Sequence, residues 1–290
     1  MVSATMVKEL REISGAGMMD AKKALVETKG DMEAAQDWLR TKGLLKAEKK
    51  SSRVAAEGLV GVSVEKIAGM IVEVNSETDF VATNEEFKSL VKLVLSECHN
   101  CKNIEEVLDK KVAGKPLRDV VTEKISTIGE NISLRRIEKL EGGNVYSYVH
   151  NSVDKDLGKI GVLVSLDGAH DNEIGKQIAM HIAATAPLAL SESELDKSLI
   201  ERETKVIKEQ LIEEGKPSEI IDKIMVGKLK KYFEENTLLH QKFVMDPDLK
   251  VSEFLEKNNQ KIRGYKRFKV GEGIEKEETD FAAEVKGIVS

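Results

Sequence analysis

Apolar residues recur at helical spacing through the first fifty positions and then switch to strand spacing, so the chain announces two kinds of structure in succession. Met6, Leu10 and Ile13 lie on one helical face behind a Thr5 cap and stop at Gly15. Met18, Ala21, Ala24 and Leu25 continue the pattern to Gly30, where Asp31 can cap a third helix carrying Ala35, Trp38 and Leu39 to about Gly43. The run Lys46 to Arg53 is charged and has no apolar period, and it reads as a linker. Beyond it, Leu59–Val64 and Gly69–Val74 are β-rich runs joined by a short turn, a hairpin pattern. Two helices follow, one capped by Asn84 with Phe87, Leu90, Val91 and Val94 on its face, the other starting after Pro116 with Leu117, Val120, Val121 and Ile125. Strands return at Ile132–Leu140, Val145–Val149 and Ile160–Leu166, with a polar loop from Asn151 to Gly158. Strands and helices segregated in this way predict an α+β fold.

The pattern also repeats weakly. Gly69–Val74 resembles Gly161–Leu166, an offset of 92, whereas Arg135–Ile137 resembles Lys266–Phe268, an offset of 131. The growing offset places an insertion of about forty residues in the second copy, and residues 192–235 fit it. There, Leu195, Leu199, Val206 and Leu211 line one amphipathic helix and Ile221, Met225, Leu229 and Tyr232 line a second, with a break at Gly215-Lys-Pro217. Such a pair forms either a protruding antiparallel coiled-coil hairpin or two helices flat on the sheet.

Composition narrows the function. The chain has 290 residues, 41% apolar and 33% charged with both signs interspersed, and a formal net charge of −6. This is enough apolar residue for real cores, and the balance argues against direct nucleic-acid binding. No apolar run reaches the roughly 18 residues of a membrane span, and the start MVSATMVKEL lacks the apolar core of a secretory signal, so a cytoplasmic location is expected. Cys98 and Cys101 stand alone around His99 and lack the further ligands of a zinc site, which favours reduced, surface or half-buried thiols. The common phosphate-loop, dinucleotide, metalloprotease and hydrolase motifs are missing, and no acid pair stands out from the charged background. His181, among Ile178, Met180, Ile182 and Ala183, reads as a core or flank histidine. The expectation is a protein with no cofactor and no covalent chemistry.

Two stretches carry a family resemblance. Leu10–Leu25 (LREISGAGMMDAKKAL) and Glu73–Ala82 (EVNSETDFVA) resemble the two signatures of the translation elongation factor Ts family, and the likeness continues in Ile128–Ile132, Ile178–Ala184, Val270–Lys276 and Glu278–Glu284. The resemblance implies a ubiquitin-associated-like three-helix module over 1–45, a linker over 46–56, core subdomains over 57–141 and 142–268 with related antiparallel sheets, the hairpin insert at 192–235, and a C-terminal helical module over 269–290. It also implies a guanine nucleotide exchange factor that binds the GTPase elongation factor Tu in its GDP form, as a one-to-one or two-to-two assembly, and loosens its magnesium and phosphate site. Thr78, Asp79, Phe80 and Val81 would form the wedging loop, with Phe80 entering an apolar cleft and Asp79 accepting the hydrogen bonds that hold the loop. Met18 and Met19 would dock the N-terminal module, one of them core and Met19 the more exposed, and His150 would contact a further domain. Two positions depart from the family pattern: Thr83 stands where a basic residue is usual, and the Asn151–Lys159 loop is longer. A ubiquitin-associated-like adaptor or chaperone binding other polypeptides is the alternative.

Overall fold

The computed structural model describes residues 2–65 and 67–275. The chain opens with helices α1 (Ala4–Ser14), α2 (Met18–Glu27) and α3 (Met32–Lys50). They close on a small core of Val7, Leu10, Ala21, Ala24, Leu25 and Ala35, whose alanines let the helices approach closely. Ser3, not Thr5, caps α1: the Ser3 hydroxyl accepts from the Met6 N–H at 3.2 Å, and Thr5 already lies inside the first turn. Asp31 caps α3 as its position predicts, accepting from the Ala34 N–H at 3.0 Å.

The expected stop near Gly43 and the start of the linker at Lys46 are both corrected, because α3 runs unbroken to Lys50. Lys, Glu and Ala are strong helix formers, and the helix gains a tertiary neighbour that local pattern does not reveal. That neighbour is the helix over Leu117–Ile128, whose Ser126 hydroxyl donates to the Gly43 carbonyl at 3.1 Å, so Gly43 marks a close approach and not an end.

The first half of the core runs β1 (Glu57–Glu65), β2 (Ala68–Ser76), α4 (Asp79–Ala82), α5 (Glu85–Cys98), α6 (Ile104–Leu108), the short pair β3 (Lys111–Val112) and β4 (Lys115–Pro116), α7 (Leu117–Ile128) and β5 (Ser133–Glu141). The second half runs β6 (Asn144–Asp154), β7 (Leu157–Asp167), α8 (Asn172–Thr185), α9 (Lys197–Glu213), α10 (Ser218–Asn236), β8 (Lys242–Phe243), β9 (Asp246–Lys250), α11 (Val251–Lys257) and β10 (Lys261–Lys269). In each half one strand is central: β2 lies between β1 and β5, and β7 between β6 and β10, all antiparallel. The two repeated sequence landmarks fall on equivalent strands, β2 with β7 and β5 with β10. The halves join into one six-stranded sheet where Val60 and Gly61 pair with Gly158 and Leu157.

Strand alternation assigns each face. Met70, Val72 and Val74 of β2 point into a core under α5 and α7, and Val162, Val164 and Leu166 of β7 into a second core under α8. The intervening Ile71 and Leu163 turn the other way and meet, with Val60, Val62, Val145 and Phe268, in a layer between the halves. The polar loop expected from Asn151 to Gly158 is instead mostly hairpin. The β6–β7 ladder continues to Asp154 and Leu157 past an irregularity at Ser152, with Asn151 at φ +50° and Asp154 paired to Lys92.

The insert is a helical hairpin. Ile207, Leu211 and Ile221 form its seam with Ile224, Met225 and Leu229, a cluster separate from the core of the second half. Ile207 takes the place expected for Val206, which, like Leu199, faces solvent. His181 is fully buried on α8 and neutral in form: its Nδ1 accepts from the Val244 N–H at 3.2 Å, so its Nε2–H donates to the Gln241 side-chain oxygen at 2.9 Å. Burial holds its pKa below the usual value.

Cys98 and Cys101 are both buried and unpaired, deeper than the surface or half-buried position expected, because the last turn of α5 and the turn after it carry them into the first core. Burial pushes the Cys98 thiol up to about 12. The native protein is therefore expected to resist alkylation at Cys98 at pH 8 and to react fully once unfolded, as mass spectrometry after iodoacetamide treatment would show. Rapid native labelling of Cys98 would contradict this packing.

Candidate partner-binding site

The segment after β2 is built to present one side chain. Thr78 occupies the cap position of the one-turn helix α4, so the expected loop is a short helix. Successive helical residues point about 100° apart, and here that step separates two fates. Val81 is 8% exposed and joins Ala82 in the core beneath, while Phe80 is 82% exposed. Val81 therefore packs within its own domain, and the exposed side of the turn is left to Phe80. The turn is closed from behind by Thr83, whose hydroxyl donates to the Phe80 carbonyl at 2.8 Å.

What holds the segment is also different from expectation. Asp79 is exposed and no hydrogen bond reaches its carboxylate from the described residues. The acceptor is Glu130, just beyond α7, which takes the Glu77 N–H at 3.1 Å, the Thr78 N–H at 3.0 Å and the Thr78 hydroxyl at 2.6 Å. Glu77 answers by accepting the Asn131 N–H at 2.6 Å, and it lies 3.4 Å from Arg53. Asp79 is left free to meet donors on another molecule. The arrangement offers an apolar ring beside an unengaged carboxylate on a braced base. That geometry suits insertion into a cleft with hydrogen-bond donors at its rim.

Met18 and Met19 start α2 at 50% and 76% exposure, so neither is core. The buried stripe of α2 begins only at Ala21, and the first turn overhangs it. Ile13, expected on the buried face of α1, is also exposed, and it flanks the same Gly15–Gly17 turn. Periodicity missed it because the helix outruns its core by a turn. His150 is exposed on β6 in the second half, with its Nδ1 3.1 Å from the Tyr148 hydroxyl. The structure thus brings together Thr78 to Val81 but carries the methionines and His150 on separate elements. Residues 276–290, most of the C-terminal helical module expected over 269–290, lie outside the described residues.

The comparisons with known proteins agree in direction. A family model described as Elongation factor TS matches residues 77–272. The chain is 57% identical over 287 residues to a protein named Elongation factor Ts from Paracoccus denitrificans, covering 98% of this chain and 97% of the relative. It is 56% identical over 284 residues to the protein of that name from Dinoroseobacter shibae and 51% identical over 284 residues to that from Jannaschia sp., each at the same coverage of both chains. Likeness at this level, across both signature regions and both halves of the sheet, leads to one conclusion: the chain belongs to the elongation factor Ts family.

Proposed function

We propose that this chain is the guanine nucleotide exchange factor of elongation factor Tu, acting in the cytoplasm during translation elongation and without covalent chemistry. The observation that carries the reading is Phe80, a large apolar side chain left 82% exposed on a braced turn. A surface aromatic of this kind gains most by burial in another protein. On this reading Phe80 enters a cleft beside the magnesium and phosphate site of GDP-bound elongation factor Tu, and Asp79 takes donors at its rim.

One ring is not enough. Burying a phenylalanine contributes about 1.5–3 kcal/mol, whereas a thousandfold loss of nucleotide affinity needs about 4 kcal/mol. Met18 and Met19, flexible and exposed at the start of α2, supply a second grip on the nucleotide domain, and His150 braces a further domain. By linkage, a factor that weakens nucleotide is weakened by nucleotide in the same proportion, so incoming GTP expels it and the cycle closes.

Stopped-flow release of fluorescent GDP from elongation factor Tu tests the assignment. Micromolar amounts of this chain are expected to accelerate release many-fold over the spontaneous rate. An unchanged rate, alongside capture of unrelated polypeptides through residues 1–45, would favour an adaptor or chaperone instead.

A further inference from the structure

Thr78 belongs to the signature stretch, and a place on the partner's surface is the role that stretch implies for it. Its geometry says otherwise. The hydroxyl of a residue at a helix cap position ordinarily accepts from a backbone N–H one turn ahead, yet Thr78 makes no such bond. It donates inward to Glu130 at 2.6 Å, a charge-assisted distance.

Glu130 itself is oriented by the chain around it. Gly129 ends α7 at φ +90°, a conformation that reverses the backbone and aims the next side chain at the end of β2. Asn131, nearly buried, fixes the turn from the other side by donating to the Arg53 carbonyl at 2.8 Å, while its N–H goes to Glu77. Lys50, at the end of α3, donates to the Gly129 carbonyl. Two segments about fifty residues apart therefore hold each other by exchange: the Glu130 side chain takes the backbone of 77 and 78, and the Glu77 side chain takes the backbone of 131. Among the described residues, the base of the Phe80 turn is otherwise held by the Ser76 hydroxyl, which donates to the Thr78 carbonyl at 3.0 Å, by Arg53 at 3.4 Å from the Glu77 carboxylate, and by the packing of Val81 and Ala82.

We propose that Glu130 and Thr78 are positioning residues for nucleotide exchange, which fix the turn that presents Phe80, and that Thr78 acts through Glu130 and not by touching the partner. This rests on the exchange reading above. A ring on a loose base must be ordered at the moment of insertion, and that ordering entropy is subtracted from the insertion step. Loss of the lock therefore lowers the rate at which bound factor expels GDP. It leaves the docking grips at Met18, Met19 and His150 intact, so the concentration needed for half-saturation stays nearly constant.

The test is a set of release curves for fluorescent GDP from elongation factor Tu, taken to saturation in factor, with Glu130→Gln, Thr78→Val, their double variant and Phe80→Ala. Glu130→Gln keeps the shape but removes the charge that accepts three bonds; its maximal rate is expected to fall about tenfold, with half-saturation within about twofold of wild type. Thr78→Val is expected to lose about threefold, and the double variant to match Glu130→Gln, since residues in one hydrogen-bond network do not add. Multiplying losses in the double variant would place Thr78 on the partner and overturn the proposal, as would a wild-type maximal rate in Glu130→Gln. Thr78→Val deletes a single hydroxyl, and its maximal rate decides the matter if Glu130→Gln fails to fold. Phe80→Ala separates the two readings: a normal rate there defeats exchange through Phe80 itself, whereas a slow Phe80→Ala with normal Glu130→Gln and Thr78→Val defeats only the positioning role.

Discussion

Replacing Glu73 by alanine is expected to cost about 3–5 kcal/mol of stability, the range for removing one partner of a buried ion pair. Glu73 lies in the apolar run of β2, fully buried. Its carboxylate receives Arg135 at 3.0 Å, Arg136 at 2.5 Å, the Asn75 amide at 3.1 Å and the Gly271 N–H at 2.8 Å. Arg136 also stacks 4.1 Å over the Phe268 ring and pairs with Glu272, so one carboxylate ties β2, β5 and the turn after β10 together. Alanine would leave two guanidinium groups short of their counter-charge and a backbone donor without an acceptor. Gly271 makes relocation difficult, because it sits at φ +70° with the Ala56 carbonyl in the way of any side chain. Whole-domain stabilities are about 5–15 kcal/mol, so calorimetry should show the melting temperature falling by on the order of 10 °C. Breaking the exposed Arg263–Asp167 pair by Arg263→Ala should cost under about 1 kcal/mol. Equal effects from the two variants would contradict the role given to burial.

Phe80→Ala is expected to behave in the opposite way, sparing the fold and removing function. An exposed ring contributes almost nothing to the free protein, so the melting temperature should stay within about 1–2 °C of wild type. In the complex the lost burial is about 1.5–3 kcal/mol, which at 1.4 kcal/mol per decade is roughly a 10- to 100-fold reduction in the coupling between factor and nucleotide. The coupling should shrink without vanishing, because Met18, Met19 and His150 remain. Calorimetric titration of elongation factor Tu with the variant, with and without GDP, measures it from the factor's side. A coupling unchanged from wild type would remove Phe80 from the mechanism.

Much of this architecture is written locally, and those parts are legible in the sequence. The switch from helical to strand spacing after residue 56, the caps at Asp31 and Asn84, and the shared landmarks on β2 and β7 all follow from neighbouring residues. What escapes is set by partners far along the chain. α3 continues past Gly43 because α7 lies against it, some eighty residues later. Val81 is buried and Phe80 exposed because a one-turn helix replaces the loop, a difference of one residue that composition does not encode. The family resemblance implies that Asp79 holds the turn, but the geometry gives that task to Glu130, 52 positions from Thr78. Glu73 did leave a trace, as a lone charge inside an apolar strand, and such an anomaly is the signal from which a buried ion cluster can be sought.

Exchange as proposed depends most on the Phe80 ring being the element that dislodges nucleotide. The most direct measurement is the rate of fluorescent GDP release from elongation factor Tu at saturating concentrations of the wild-type and Phe80→Ala proteins. Release at least about tenfold slower is expected with the variant despite full occupancy; equal maximal rates would rule out the ring as that element.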